Sequence, residues 1–208
     1  MKPLESATTS LSYDEHGRMV MHIKHDLVKG ISPEMVAWWF GNIGGEFEVD
    51  GSRLNKYLAW HPSDHILWQL AKPGPDGRAS VGAQFRIVEA FGRNPAFYVD
   101  VIDTVTRLDA SGFTAVTYCL GREISHLNHD FVRMAGGTKY LSTLTIGSAL
   151  PLIGRGFNAV VHRTIFTEAM GHAWLKHNVE EVGLLEHIIP RAYSDDGAEV
   201  PRALVTQN

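Results

Sequence analysis

Apolar residues recur along the chain with two periods, which divide it into strands and helices. Alternation over residues 18–25 predicts a β-strand, with methionine and isoleucine on one face. Longer strand-like runs cover residues 81–91, 96–108 and 112–121, and a further run covers 139–146. Turn sequences (Asn-Pro and Asp-Ala-Ser-Gly) separate the three longer runs, so we expect neighbouring strands that pair antiparallel.

Two segments carry the helical pattern instead. Residues 32–34 (Ser-Pro-Glu) combine a capping side chain, a proline suited to the first turn and an acidic residue. They predict an aromatic-rich helix that ends around residues 44–45, a glycine pair. Near the C-terminus, apolar residues three and four apart predict a long helix over residues 156–187, which Pro190 ends.

This order of elements predicts an α+β fold in which a curved antiparallel sheet wraps around one long C-terminal helix. It resembles the helix-grip fold of START domains and birch-pollen-allergen-like proteins, which implies a ligand cavity between helix and sheet. We expect a flexible N-terminus over residues 1–15, a single helix-grip domain over 16–195 and a C-terminal tail over 196–208.

Composition narrows the class of protein. A net charge of -4 without a block of lysine or arginine argues against a nucleic-acid partner. Cys119 is the only cysteine, which excludes an intrachain disulfide, and its position after a strand predicts a small buried side chain. No secretory signal and no apolar run of transmembrane length is present, so we expect a cytoplasmic protein with no membrane partner.

The C-terminal helical pattern carries the strongest chemical signal. His177 and Glu181 are four residues apart, so both side chains project from one face of the predicted helix. The other members of that face are apolar: Phe166, Met170, Ala173 and Leu184. Because buried ionisable groups need a partner or a metal, a divalent cation is the compensation that we expect.

Further ligand candidates lie upstream. Glu89 is the polar member of an alternating face that is otherwise apolar, so it should point into the core. His61 and His65 flank a proline turn, either can supply an imidazole, and Asp64 can orient a ligating ring. The candidate set is therefore His65, Glu89, His177 and Glu181, and imidazole with carboxylate suits zinc best, before manganese or iron.

Three motifs in this order resemble the 2,4-diacetylphloroglucinol hydrolase family, which includes phloretin hydrolase. They are Ile31-Ser-Pro-Glu-Met-Val-Ala-Trp-Trp-Phe40, then Tyr57-x-x-Trp-His-Pro-x-Asp-His65, then His177-x-x-x-Glu181. The resemblance spans about residues 30 to 190. It implies a zinc enzyme, with one Zn²⁺ per chain, that hydrolyses the carbon–carbon bond between a phenolic ring and an acyl group in a retro-Claisen-type reaction.

The resemblance also implies roles for individual residues. The same four ligands follow from it, with His65 preferred over His61 because the spacing from Tyr57 is kept. Tyr57, His126 and Tyr140 match polar residues that hold phenolic oxygens and move protons. Trp38 and Trp68 are the expected substrate contacts, although Trp68 stands where the better-known member has a small polar residue.

The resemblance implies the metal chemistry more closely than the identity of the substrate. The reason is that we expect this chain to lack the longer N-terminal segment of the better-known family member. An acylphloroglucinol or phloretin-like aromatic ketone is the expected small-molecule substrate, and a homodimer is left open. Two alternatives remain: a metal-independent enzyme resembling a polyketide cyclase, and a non-catalytic carrier of a hydrophobic ligand.

Overall fold

A computed structural model describes residues 1–151 and 153–197. Within them, nine strands form one antiparallel sheet in the order β1-β2-β11-β10-β9-β8-β7-β6, with the short β3 paired to β11. The strands of this sheet are Thr8–Tyr13 (β1), Met19–Lys24 (β2), Val28–Lys29 (β3), His65–Lys72 (β6), Gln84–Ala90 (β7), Tyr98–Asp109 (β8), Gly112–Cys119 (β9), Arg122–Met134 (β10) and Gly137–Ile146 (β11). A separate hairpin joins Glu46–Val49 (β4) and Ser52–Asn55 (β5).

The helices are Pro33–Gly41 (α1), Lys56–Trp60 (α2), Gly154–Thr164 (α3) and Glu168–Asp195 (α4). The hydroxyl of Ser32 accepts a hydrogen bond from the Met35 backbone N–H, so the predicted cap of α1 is present. The sheet curves around α4, and this architecture is the helix-grip fold that the sequence predicted. No helix in the described part of the chain combines the length and apolarity needed to cross a membrane.

The N-terminal segment differs from its prediction. We expected residues 1–15 to be flexible, but β1 pairs along its whole length with β2, for example Leu11 with Met21. Lys2 also reaches α4, where its Nζ lies 2.5 Å from Glu186 Oε1. The apolar–polar alternation in β1 is weak because β1 is a largely polar edge strand. Pairing with β2 keeps it ordered, although its own sequence does not predict a strand.

The predicted C-terminal helix is two helices. Thr167 caps α4 by accepting a hydrogen bond from the Met170 N–H, which separates α4 from α3. We expected Pro190 to end the helix, but α4 continues to Asp195 because the turns around the proline are held by burial of Ile189 and Ala192. Of the predicted tail, residues 198–208 lie outside the described residues.

Two further expectations are corrected. Cys119 is exposed rather than buried, since it lies at the end of β9, where β10 still pairs with it but the pairing with β8 has ended. Strand β10 occupies residues that the sequence analysis left between two strands, and its polar side chains obscured the alternation. The core packs α1 and the two ends of α4 against the sheet, in two clusters that meet at Leu127.

Candidate metal centre

A cavity of about 650 Å³ lies between α4 and the concave face of the sheet. Most of its wall is aromatic or aliphatic, whereas a few polar side chains reach it from β7, β8, β10 and α4. The principal aromatic lining residues are Phe40, Trp60, Trp68, Phe85, Phe91 and Phe113. A mostly apolar cavity with few polar groups is typical of sites for small organic molecules.

Four ionisable side chains converge at one place, where Glu89, His177 and Glu181 line the cavity and His65 lies buried behind its wall. His65 begins β6 and stands directly opposite Glu89 of β7 in the antiparallel register. His177 and Glu181 project toward them from consecutive turns of α4, and both are at least 95% buried. Three of the four sequence-based candidates, His65, Glu89 and His177, have ligand atoms within 4.8 Å of one another, and Glu181 lies beside both histidines.

The distances among these groups suit a ligand shell better than hydrogen bonds. His65 Nε2 lies 3.4 Å from Glu89 Oε1 and 3.4 Å from Glu181 Oε2. His177 Nε2 lies 3.7 Å from Glu89 Oε2 and 3.8 Å from Glu181 Oε2. Hydrogen bonds between such groups are about 2.7–3.2 Å long. Ligand atoms around a tetrahedral zinc ion, at about 2.0–2.2 Å from the metal, lie about 3.3–3.6 Å apart.

Hydrogen bonds on the far side of each imidazole fix its orientation. His65 Nδ1 lies 2.7 Å from the Tyr57 carbonyl oxygen, and His177 Nδ1 lies 3.1 Å from Asp64 Oδ2. Because a carbonyl and a carboxylate only accept, both Nδ1 atoms carry the proton and both Nε2 lone pairs face the two glutamates. His65 Nε2 is buried with no hydrogen-bond partner among the described residues, as expected of a metal ligand.

The same chemistry distinguishes His65 from His61. The Asp64 backbone N–H donates to His61 Nδ1 at 3.2 Å, so the proton of a neutral His61 ring sits on Nε2. That atom lies 3.4 Å from Glu180 Oε2. His61 therefore belongs to a different group of possible ligands, which it forms with Asp64 and His177. Nε2 of both rings is buried without a hydrogen-bond partner among the described residues, but of these two histidines only His65 presents a lone pair to Glu89 and Glu181.

Burial opposes the charges that these groups carry in water. It raises the pKa of Glu89 to about 7 and the pKa of Glu181 to about 8, and it lowers the pKa of His177 to about 3. For Asp64, burial also acts upward, but hydrogen bonds from His177 and the Gly92 N–H bring its pKa to about 2. Asp64 is therefore an ionised orienting group, and the two glutamates lack a fixed positive partner.

Tyr57 stands at the edge of this cluster and lines the cavity. Its ring stacks on His65 with centroids 3.9 Å apart, and its hydroxyl donates to Glu89 Oε1 at 2.5 Å. Burial, then the Glu89 charge, raise the Tyr57 pKa well above its usual value, so the hydroxyl keeps its proton. Tyr57 can therefore hold or transfer a proton beside the candidate ligands.

A second buried polar cluster lies behind the first, and it contains Tyr140. Ser142 Oγ bridges His25 Nε2 at 2.8 Å and His129 Nδ1 at 3.0 Å. The Tyr140 ring packs against both imidazoles, while its hydroxyl has no hydrogen-bond partner in the described part of the chain. Tyr140 is fully buried and does not line the cavity, whereas His129 does.

Besides Tyr140, two of the residues predicted to contact the substrate, His126 and Trp38, do not line the cavity. His126 is on the opposite face of β10 from Leu127 and His129, half-exposed and 3.1 Å from Glu123 Oε1. The expectation was wrong because it did not set the phase of β10, a strand that it did not predict.

Trp38 is also displaced from the expected substrate contact. It packs edge-on against Tyr193 at 4.9 Å, with Lys56 Nζ above its ring, because α1 turns Trp39 and Phe40 inward instead. Trp68 does line the cavity. It lies so close to residue 44 that a Cβ there would be 2.0 Å from the Trp68 ring, which explains the glycine at that position.

Sequence analysis also missed polar residues that contact this region. Asp103 and Thr117 line the cavity, and the Thr117 hydroxyl donates to the Asp103 carboxylate. Asp103 shares the alternating face of Val99 and Val101, so period two over residues 96–108 held the signal. Asn178, which donates its amide N–H to Glu181 Oε1, had no comparable pattern.

Comparison with known proteins is informative for the fold. No protein-family model matches the sequence, and no curated protein matches it. The KanY protein, solved by NMR, is similar over 91% of this chain and 99% of its own, with a TM-score of 0.52 and 12% identity. At that identity the similarity shows the fold alone.

Two further solved structures have about the same sequence identity to this chain and lower TM-scores. The Mycobacterium smegmatis protein Ms6760 is 11% identical over 88% of this chain and 98% of its own, with a TM-score of 0.49. The di-domain ARO/CYC BexL is 11% identical over 90% of this chain and 50% of its own, with a TM-score of 0.48. The chain is a helix-grip protein with a cavity.

Proposed function

We propose that this chain is a metal-dependent hydrolase that cleaves the carbon–carbon bond between a phenolic ring and an acyl group. The observation that carries the proposal is the convergence of two imidazole Nε2 lone pairs and two carboxylates at spacings of 3.4 to 3.8 Å. Four acceptors without a donor among them repel one another unless protons or a cation intervene.

His65, Glu89, His177 and Glu181 would hold the ion, and this donor set favours Zn²⁺. When bound, the ion supplies Lewis acidity and lowers the pKa of a water ligand toward about 7. The chain itself supplies the orientation: Asp64 and the Tyr57 carbonyl keep both imidazoles turned toward the site.

The rest of the cavity supports an aromatic ketone as substrate. Trp68, Phe85 and Phe113 provide flat apolar walls for a ring, and about 650 Å³ accommodates a molecule of this size. Hydrogen-bonding groups at the wall suit the hydroxyls of such a ring. They come from Tyr57, from His129 and from Asp103 paired with Thr117.

Hydrolysis converts the aryl ketone and water into an arene and a carboxylic acid. The bond between ring carbon and acyl carbon breaks, the acyl carbon gains the water oxygen, and the ring carbon gains a proton. Protonation of that ring carbon before cleavage makes the leaving group a stabilised enolate. We assign Tyr57 to hold a ring hydroxyl and to relay this proton, which the attacking water replaces, because its protonated hydroxyl is hydrogen-bonded to Glu89 at the cavity wall.

The alternative is a cyclase-like enzyme or a hydrophobic-ligand carrier that uses the cavity without a metal. The mainly apolar wall favours this alternative, since it requires no chemistry from the histidines and glutamates. In that case the two glutamates would be protonated in the folded protein.

Elemental analysis of the purified protein, paired with an assay of acylphloroglucinols and phloretin-like ketones, tests the proposal. We expect about one metal ion per chain, and turnover that chelation abolishes and Zn²⁺ restores. His177→Ala should lose both the metal and turnover. His172→Ala is the matched control, because His172 is an exposed residue of the same helix.

Metal-free wild-type protein that is folded and cannot be loaded would reject the proposal. Turnover or ligand binding that survives chelation would then identify the cyclase-like enzyme or the carrier.

A further inference from the structure

Helix α3 presents an apolar stripe to solvent beside the cavity. Ile153 is 67% exposed, Phe157 41% and Val160 59%, and the spacings of four and three place them on one face. Ile165, which follows the helix, is 68% exposed. Single exposed apolar residues are ordinary, but a contiguous group of large ones marks a surface that contacts something else.

The stripe is continuous with the cavity wall. Phe157, Val161 and Ile165 line the cavity, although Phe157 and Ile165 are also open to solvent. Exposed residues Tyr98 and Cys119, at the ends of β8 and β9, line it as well. Residues that are both exposed and cavity-lining define the cavity mouth, so the apolar stripe forms one of its rims.

Basic residues accompany the stripe. Arg155 and Arg163 are exposed on α3, and residues 131–167 contain no aspartate or glutamate. Within the described ranges, neither guanidinium has a carboxylate within 4.0 Å. Arg163 follows Val160 by about one turn and lies beside the stripe, whereas Arg155 lies on the opposite side of α3. An exposed apolar face on a helix whose polar side carries arginine and no acidic residue is complementary to a surface that is apolar beneath an anionic layer.

We propose that α3 docks the cavity mouth onto anionic lipid bilayers, with Ile153, Phe157 and Val160 entering the interface. An apolar ligand that partitions into lipid would then reach the cavity without crossing water. A two-fold dimer through the same stripe is disfavoured because it would bring Arg163 of both copies together without an acidic partner on the helix. Although sequence analysis predicted no membrane partner, docking at a surface requires no membrane-spanning run.

Vesicle flotation of the full chain tests this proposal without an activity assay. We expect the protein to float with vesicles that contain phosphatidylserine, to bind phosphatidylcholine vesicles less, and to be released by salt. Ile153→Asp/Val160→Asp should lose binding. Arg163→Gln should weaken it about fivefold, and Arg155→Gln, on the opposite side of the helix, should weaken it less.

Val132→Asp is the matched control, because Val132 is a comparably exposed apolar residue that pairs with Lys139 at the other end of β10. Circular dichroism verifies that each variant is folded. Equal binding by Ile153→Asp/Val160→Asp and wild type would overturn the proposal, as would absence of binding to either vesicle. A dimer in light scattering that the same double variant dissociates would assign the stripe to self-association and also overturn it.

Discussion

Two clusters of buried histidines lie side by side in this protein, and they differ in how their hydrogen-bonding capacity is used. In the rear cluster, the Ser142 hydroxyl stands between His25 and His129 and can donate to one ring while it accepts from the other. Burial lowers the pKa of both imidazoles to about 3, so both are neutral. The Ser142 hydroxyl therefore gives each of these two imidazoles a hydrogen-bond partner without a cation.

In the front cluster, the imidazoles of His65 and His177 have their Nδ1 protons engaged elsewhere and turn lone pairs toward two carboxylates. The facing atoms are all acceptors, and 3.4 Å or more separates them. The comparison teaches that burial of histidine does not identify a metal site. The orientation of the second ring nitrogen does, because it decides whether donors or lone pairs converge.

The largest expected effect follows from breaking the front cluster. At a Zn²⁺ concentration of about 1,000 times Kd, metal binding should stabilise the wild type by about 4 kcal/mol. His177→Ala should abolish that increment, because it removes one ligand and leaves two carboxylates facing a single imidazole. Thermal unfolding with and without Zn²⁺ measures the increment. His172→Ala should retain it, and an unchanged increment in His177→Ala would exclude His177 as a ligand.

The next effect concerns pH in the metal-free protein. The folded-state pKa values of Glu89 and Glu181, about 7 and about 8, lie above the usual value of 4.5. Their stabilising contribution is therefore complete below about pH 4.5 and is lost as pH rises through 7 to 8. His177 and Asp64 have lowered pKa values, and their contributions are already complete above pH 6.5.

Between pH 6.5 and 8 the glutamates should therefore dominate. We expect the free energy of unfolding of the metal-free protein to fall by a few kcal/mol across this window. Saturating metal should remove the decline, because the bound carboxylates are already deprotonated. Urea denaturation at several pH values measures both series. A flat metal-free series would show that these glutamates are not protonated in the folded protein.

The members of the front cluster that depend on local backbone geometry could be predicted from the sequence. Helical spacing alone puts His177 and Glu181 on one face, and strand alternation alone turns Glu89 toward the core. Neither inference required knowledge of the tertiary fold. Between His61 and His65, only the spacing of the family motif favoured His65; the physical reason lies in the pairing of β6 with β7 and in the hydrogen bonds around each ring. Those are contacts between residues distant in sequence.

The errors have similar physical origins. The family resemblance implied His126, whereas His129 lines the cavity, because the phase of β10 depends on its pairing with β9 and β11. The helix-grip order was predictable because the long strands and α4 have strong periodicity. Strand β1 was not, since its partner rather than its own composition holds it in the sheet.

A moderate effect should follow from removing the orienting carboxylate of the front cluster. Asp64→Ala leaves His177 Nδ1 without its acceptor, so the ring can rotate or change tautomer. We expect metal affinity to fall about 10–100-fold. Competition with a chromophoric chelator measures the dissociation constant. His61→Ala serves as the control and should have a smaller effect, since His61 Nε2 faces Glu180 instead. Equal losses would indicate that His61 also acts on the metal.

The smallest effect should come from breaking the rear cluster. Ser142→Ala removes the hydroxyl between His25 and His129 and leaves two buried imidazole nitrogens without partners, which costs about 1–3 kcal/mol of stability. Because this cluster needs no cation, metal content should remain at the wild-type level. Ser142→Thr, which keeps the hydroxyl, should recover part of the loss. A drop in bound metal would show that the rear cluster acts on Glu181 through Asn178, and the two clusters would then be one functional unit.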